Sequence, residues 1–403
     1  MQIKLDGTAI LPGHSAGVEA FTYGLLRGLA EDDTHRLEVT IARGTRESWR
    51  RQVPDDERVR WTEVRQPLRA DARLGGGLRR ILPGQLRSAP LAHRMVTLLR
   101  NRANPVPPDD DRVTLYPFGG VPARARRSVV VVHDMRRFHL RYDSAPITEI
   151  FARNIASADA LVASWPHPYQ QLLRTFPEVA AKTALIPLPV FHARPAGTAT
   201  EPDPQLLLYP SSTAAHKNHR NLLEALALLP EYRLVCPGPL VEPQAGQLTA
   251  RAAAPDLRTR VVFPGFVPVP ALEQLYARAT AVVVPSLWEA ASGAIFEAFS
   301  WGLPVACADV EPLRAQVEFA GAEVSYFDPH DPESIATAVR RLLADRPRYA
   351  AAARRAADRL ATRTWAQTAR DYTAVLDWVA GGRPGPVPQS PFLTPDVVGG
   401  STS

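Results

Sequence analysis

Two carboxylates eight positions apart, Glu289 and Glu297, are the residues of this chain best placed by type and spacing to do chemistry. They lie in Pro285-Ser286-Leu287-Trp288-Glu289-Ala290-Ala291-Ser292-Gly293-Ala294-Ile295-Phe296-Glu297, where an apolar strand ends, small residues follow and a helix opens around Gly293. The spacing predicts Glu297 in the first turn of that helix. A helix start offers free N–H groups and the positive end of the dipole to an anion, and small side chains let a phosphate approach the backbone. Glu289 is then suited to accept hydrogen bonds from sugar hydroxyls and Glu297 from ribose hydroxyls. On spacing alone, a helix-start carboxylate and a solvated loop residue account for the pair equally well.

A lysine stands out next. Lys4, Lys182 and Lys217 are the only lysines against 44 arginines. An ammonium is a point charge suited to a diphosphate, whereas arginine is a planar fork, so a lysine kept in an arginine-biased chain gains weight. His216 and Arg220 flank it. In the first half, Val129-Val130-Val131-Val132 ends in His133-Asp134, and Pro12-Gly13-His14-Ser15-Ala16-Gly17 follows the first apolar run, where glycine permits a tight turn and close backbone approach.

The elements that must position these residues alternate. Apolar runs at 3–5, 37–42, 113–116, 129–133, 160–163 and 184–187, then at 206–209, 232–236, 260–263, 281–284, 305–308 and 324–327, are separated by helical-length segments. That is the pattern of an α/β fold with parallel sheets. At 403 residues the chain is long enough for two domains. The proline-dense stretch from Pro187 to Pro204 sets the boundary: a first domain at 1–187 and a second at 188–364. Trp365 to Val379 has apolar residues at helical spacing and predicts a terminal helix over 365–380. Residues 58–112, rich in arginine, read as an excursion of the first domain, and 381–403 as a disordered tail.

Composition narrows the class. Cys236 and Cys307 match neither a disulfide framework nor a metal-ligand spacing, so no metal site is expected and a reducing, cytoplasmic setting is. The first residues read as a strand and not as a leader, and no run reaches a membrane span. The net charge of +6 describes surface potential, and without a recognition motif it does not imply a nucleic-acid partner. The arginines of 58–112 leave peripheral contact with anionic lipid open.

The segment around Glu289 and Glu297 resembles the signature of the large retaining glycosyltransferase family with the GT-B fold, the family 4 type, in which Glu, seven residues and Glu follow a Pro-Ser strand end. Gly302-Leu303-Pro304-Val305, Tyr326-Phe327-Asp328-Pro329, His216-Lys217-Asn218 and Phe263-Pro264-Gly265-Phe266 resemble its other landmarks in the same order, across nearly all of 205–345. The glycine loop with Gly17 and the His133-Asp134 strand end are similar to its first-domain motifs.

The resemblance implies two Rossmann-like domains facing a cleft, a helix returning to the first domain, and a metal-independent, cofactor-free enzyme. It would move a hexose from a nucleotide diphosphate to an acceptor hydroxyl with retention. His133 and Glu289 would orient the donor sugar, Lys217 and the Ser292, Gly293, Ala294 and Ile295 amides would stabilise the diphosphate, and Glu297 would hold the ribose. The chain departs from the family in two places. Ser212 stands where most members carry a phosphate-binding arginine, which makes His216 and Arg220 candidate substitutes, and Ala290-Ala291-Ser292 replaces Gly-Phe-Gly. An epimerase or hydrolase of the same fold and a non-catalytic sugar-nucleotide-binding protein are the alternatives.

Overall fold

The computed structural model describes residues 2–10, 12, 16–31, 35–53, 56–64, 112–118, 127–139, 145–199 and 201–392. The glycine-loop residues 13–15, most of the arginine-rich segment and the tail beyond 392 lie outside them. Strands β1 (Gln2–Asp6), β2 (Arg36–Ala42), β3 (Val59–Val64), β4 (Val113–Tyr116), β5 (Ser128–Val132), β6 (Ala160–Ala163) and β7 (Thr183–Leu185) form a parallel sheet in the order β3-β2-β1-β4-β5-β6-β7. A second parallel sheet has the order β10-β9-β8-β11-β12-β13. It is built from β8 (Leu206–Leu208), β9 (Arg233–Pro237), β10 (Val261–Gly265), β11 (Ala281–Val284), β12 (Val305–Ala308) and β13 (Ser325–Phe327). Each sheet reverses its winding once, between β1 and β4 and between β8 and β11, and the crevice outside the strand ends at such a reversal is where open α/β sheets bind ligands.

Strands β5, β6, β11 and β12 are buried at every position, because helices cover both faces and leave no solvated side to be polar. That is why they read as plain apolar runs. Strand β3 was not expected: its residues fall in the segment assigned to an excursion, yet Val59 to Val64 pair in parallel with Leu37 to Ala42. As an edge strand carrying Arg60 and Glu63 it has no continuous apolar signal.

Helices of the first half are α1 (Ala16–Ala30), α2 (Arg46–Arg50), α3 (Arg136–His139), α4 (Ala145–Ser157) and α5 (Pro166–Thr175). The second half contributes α6 (His219–Ala227), α7 (Gln244–Ala252), α8 (Val269–Arg278), α9 (Gly293–Ser300), α10 (Glu311–Ala320), α11 (Pro332–Ala344) and α12 (Arg346–Ala361), before α13 (Trp365–Ala380). A capping box between Thr364 and Gln367 starts α13. Its Tyr372, Val375, Leu376 and Val379 are buried in the first domain's core with Phe21 of α1. The approach is close: a Cβ on Gly24 would sit 2.1 Å from the Trp365 ring, so only glycine lets α1 and α13 meet here.

The chain from 382 to 392, expected to be disordered on composition, is ordered in the structure. The Gln389 side chain accepts from Leu185 N–H at 2.9 Å and donates to the Thr183 carbonyl at 3.1 Å, covering the exposed edge of β7. Val387 is buried, and Phe392 packs on Phe319 of the second domain. These contacts offset an ordering entropy that composition alone does not balance. Among the described residues, no helix is long and apolar enough to cross a membrane.

Candidate active site

The second sheet's reversal point carries the predicted cation and the first predicted carboxylate. β8 runs into a single 3-10 turn, Ala215–Lys217, and Asn218 follows in the left-handed conformation at φ 57° before α6. Asn218 is fixed there by its side-chain amide, which donates to the carbonyls of Pro285 and Pro329 at 3.0 and 2.7 Å. Leu287 N–H donates to the His216 carbonyl at 2.8 Å, so the loops after β8 and β11 are stitched together.

Across this stitch Lys217 Nζ donates to Glu289 Oε1 at 2.5 Å. The same oxygen accepts from Ser286 Oγ at 2.7 Å, and the buried Tyr209 hydroxyl lies 2.7 Å from Ser286 Oγ. Glu289 is buried and Lys217 is partly exposed. The pair therefore holds a cation at the mouth of the second domain, with Glu289 Oε2 taking no protein donor among the described residues and available to a ligand hydroxyl.

Four residues on from Glu289, α9 begins. Of the four amides predicted to meet a phosphate, two are already used. Ser292 N–H donates to Gln316 Oε1 at 2.7 Å, with Gln316 Nε2 returning to the Ser292 carbonyl at 2.6 Å, and Ile295 N–H closes on the Ser292 carbonyl at 3.2 Å. Among the described residues Gly293 and Ala294 are left as the first-turn donors, and a helix start with unpaired amides and no side-chain cap is suited to an anion.

Glu297 is the fifth residue of α9 and so lies in its second turn, one turn deeper than predicted, because the helix begins at Gly293 itself. It is buried and accepts from the Tyr276 hydroxyl at 2.6 Å, and burial raises its pKa. Oε1 lies 3.5 Å from where a Cβ of Gly293 would be, beneath the helix start.

From the first domain β5 delivers His133. Its Nε2 lies 3.0 Å from the Pro117 carbonyl, which can only accept, so Nε2 carries the proton and Nδ1 accepts from Ser164 Oγ at 3.0 Å. Burial pushes its pKa down to about 4, and the neutral ring packs edge-on against Phe21. Both ring nitrogens are engaged, so His133 is a held, neutral donor and not a free base. Gly17, in the first turn of α1, is exposed with open space where a Cβ would point.

The two remaining candidates separate. Arg220 lines a cavity of about 520 Å³ between the starts of α6 and α7, together with Gln244, Gln247 and Arg251. His216 instead faces the first domain: its Nε2 accepts from Arg136 Nη1 at 3.0 Å. Burial first, then the charges of Lys217 and Arg136, push its pKa down to about 4. Arg136 escaped the sequence reading because one arginine among 44 carries no signal and its partner lies 80 residues away in the other domain. The one available hint was its place three residues after His133. Among the described residues, no group of three or more His, Cys, Asp or Glu side chains is arranged to hold a metal ion.

Comparisons with known proteins place this geometry in context. Residues 193–359 match the family model described as Glycosyl transferases group 1. The O-antigen chain mannosyltransferase B of Escherichia coli is 33% identical over 145 residues, 34% of this chain and 36% of that protein. An uncharacterized glycosyltransferase of Methanocaldococcus jannaschii is 38% identical over 91 residues, 22% of this chain and 23% of that one. The chain thus spans about a third of the length of the first of these curated relatives and less of the second. The fold likeness extends further. HepE of Anabaena in complex with UDP and glucose superimposes with a TM-score of 0.66 at 17% identity, over 94% of this chain and 99% of that one. A sucrose-phosphate synthase from Thermosynechococcus elongatus gives 0.68 at 17% identity, over 95% and 100%. Residues 193–359 match the glycosyl transferases group 1 family, and the chain as a whole has the two-sheet α/β architecture of the GT-B structures.

Proposed function

We propose that the protein transfers a hexose from a nucleotide diphosphate donor to an acceptor hydroxyl, with retention at the anomeric carbon and without a metal. One observation carries the reading: outside the reversal point of the second sheet lie a lysine, a carboxylate with one oxygen and a helix start with two amides that take no partner among the described residues. The cation and the amides suit the diphosphate, and Glu289 Oε2 suits a sugar hydroxyl. The E. coli relative is a mannosyltransferase by name, and HepE was crystallised with UDP and glucose, which supports a donor of this class.

In this reaction the anomeric C–O bond breaks and its electron pair leaves on the diphosphate, whose growing charge Lys217 and the Gly293 and Ala294 amides offset. The acceptor oxygen attacks on the face the diphosphate vacates and passes its proton to a departing phosphate oxygen. His133 directs its Nε2–H from the Pro117 carbonyl to a donor hydroxyl, and Glu297 faces the ribose from beneath α9. The acceptor sits mainly against residues 1–187.

Thermal unfolding with UDP, GDP, ADP, dTDP and CDP sugars tests the assignment. A ligand at 100 times its dissociation constant adds about 2.7 kcal/mol of stability. One nucleotide class is expected to raise the unfolding temperature of the wild type and to lose that effect in Lys217→Ala and Glu297→Ala. A shift that survives both substitutions removes the site from this position.

A further inference from the structure

Arg136 reaches across the cleft from the first domain and meets the residue next to Lys217. It starts α3, directly after the β5 end that carries His133, and its backbone N–H donates to Asp134 Oδ1 at 3.1 Å. Its guanidinium Nη1 donates to His216 Nε2 at 3.0 Å, while Nη2 stands 4.0 Å from Asp134 Oδ2. The side chain is about one-third exposed, so part of the fork is open to solvent.

This contact is a weak use of an arginine. A guanidinium bonds roughly twice as strongly to an anion as to a neutral acceptor, and its planar fork matches a phosphate with two parallel bonds. Here it spends a donor on an uncharged imidazole that feels the charge of two cations, Lys217 and Arg136. Glu289 is committed to Lys217, which leaves Asp134, at 4.0 Å, as the nearest negative charge to the fork among the described residues. Positive charge is thus gathered from both domains around a neutral ring, and an anion entering the gap relieves their repulsion.

We propose that Arg136 is a diphosphate-binding residue supplied by the first domain. Resting on the nucleotide-sugar reading of the site, the inference is that a diphosphate seated against Lys217 and the α9 amides draws the guanidinium off His216 and onto its own oxygens. The anion then bridges the two domains, so donor binding and their closed arrangement stabilise each other. His216 holds the arginine before the diphosphate binds.

Calorimetric titration of the wild type, Arg136→Ala, Arg136→Lys, His216→Ala and Lys217→Ala with UDP, GDP and ADP, and with the matching monophosphates, tests this. The diphosphate that binds the wild type is expected to lose at least tenfold in affinity in Arg136→Ala, with a smaller loss for its monophosphate. Arg136→Lys is expected to recover part of the loss, and His216→Ala to bind within about threefold of the wild type. The unfolding temperature of unliganded Arg136→Ala should stay within a few degrees of the wild type, where a purely structural role would lower it. Affinity within twofold of the wild type in Arg136→Ala, alongside a loss in Lys217→Ala, overturns the role of Arg136 and leaves the functional reading standing. No diphosphate binding by the wild type overturns both.

Discussion

Among single residues, three histidines show how burial holds an imidazole neutral. His133, His216 and His219 all have pKa values pushed down, to about 4, 4 and 3, chiefly by burial. A histidine whose folded pKa is depressed contributes stability that is present above the unfolded value of 6.5 and is lost as pH falls toward the folded value. Glu297, raised by burial, acts in the opposite sense: its cost to stability sets in as pH rises above the ordinary 4.5. His219 is the cleanest case, since both ring nitrogens are buried without a hydrogen-bond partner while the ring packs between Tyr209 and Phe263. His219→Phe is therefore expected to raise the unfolding temperature at pH 5 and to flatten its dependence between pH 7 and 5, since an unpaired buried polar group costs about 1–3 kcal/mol. Unfolding at a lower temperature than wild type at pH 5 would contradict this. These residue-level facts were only partly legible in the sequence. Lys217 and Glu289 stand out by type and spacing, but that they pair with each other, and that Arg136 parks on His216, depends on loops from strands far apart in the chain.

At the scale of elements, the parallel strands are legible because burial on both faces turns them into apolar runs, as in β5 and β11. β3 is not, because an edge strand can carry Arg60 and Glu63 without penalty. The start of α9 at Gly293 is where the sequence puts it, but Glu297, its fifth residue, is already past the first turn of 3.6 residues and so lies one turn deeper than expected. The α1–α13 crossing is a stronger constraint than its sequence reveals. Gly24 and Gly28 sit inside a helix, where glycine is unfavourable, because Trp365 occupies the space of their side chains. Gly24→Ala is expected to cost about 1–3 kcal/mol by overpacking, despite the better helix propensity of alanine. Chemical denaturation measures it, and an unchanged midpoint would show that α13 docks less tightly than described.

For the whole molecule, the chain's return is what binds the two domains. Arg363, buried with its side chain 2% exposed, donates to the Pro187 carbonyl at the hinge and pairs with Asp371 at 2.8 Å. Ser390 donates to the same carboxylate, and Phe392 lies under the Arg363 guanidinium. On the other side of the cleft Trp165 packs on Phe296 and Phe319, and Arg174 reaches Glu311 at 3.2 Å. Truncation after Gly381 uncovers the edge of β7 and strips the hinge of Ser390 and Phe392. A lower unfolding temperature and concentration-dependent self-association are expected, readable by light scattering, and a truncated chain as stable and monodisperse as the full one would contradict this.

Sugar transfer at the Lys217–Glu289 site is tested by proton NMR of each nucleotide sugar incubated with the protein and a panel of hydroxyl acceptors. One donor is expected to be consumed in step with a new glycoside of the same anomeric configuration, with or without EDTA, and Lys217→Ala to slow this at least a hundredfold. A donor that binds the wild type but is never consumed, or a product of inverted configuration, would contradict it.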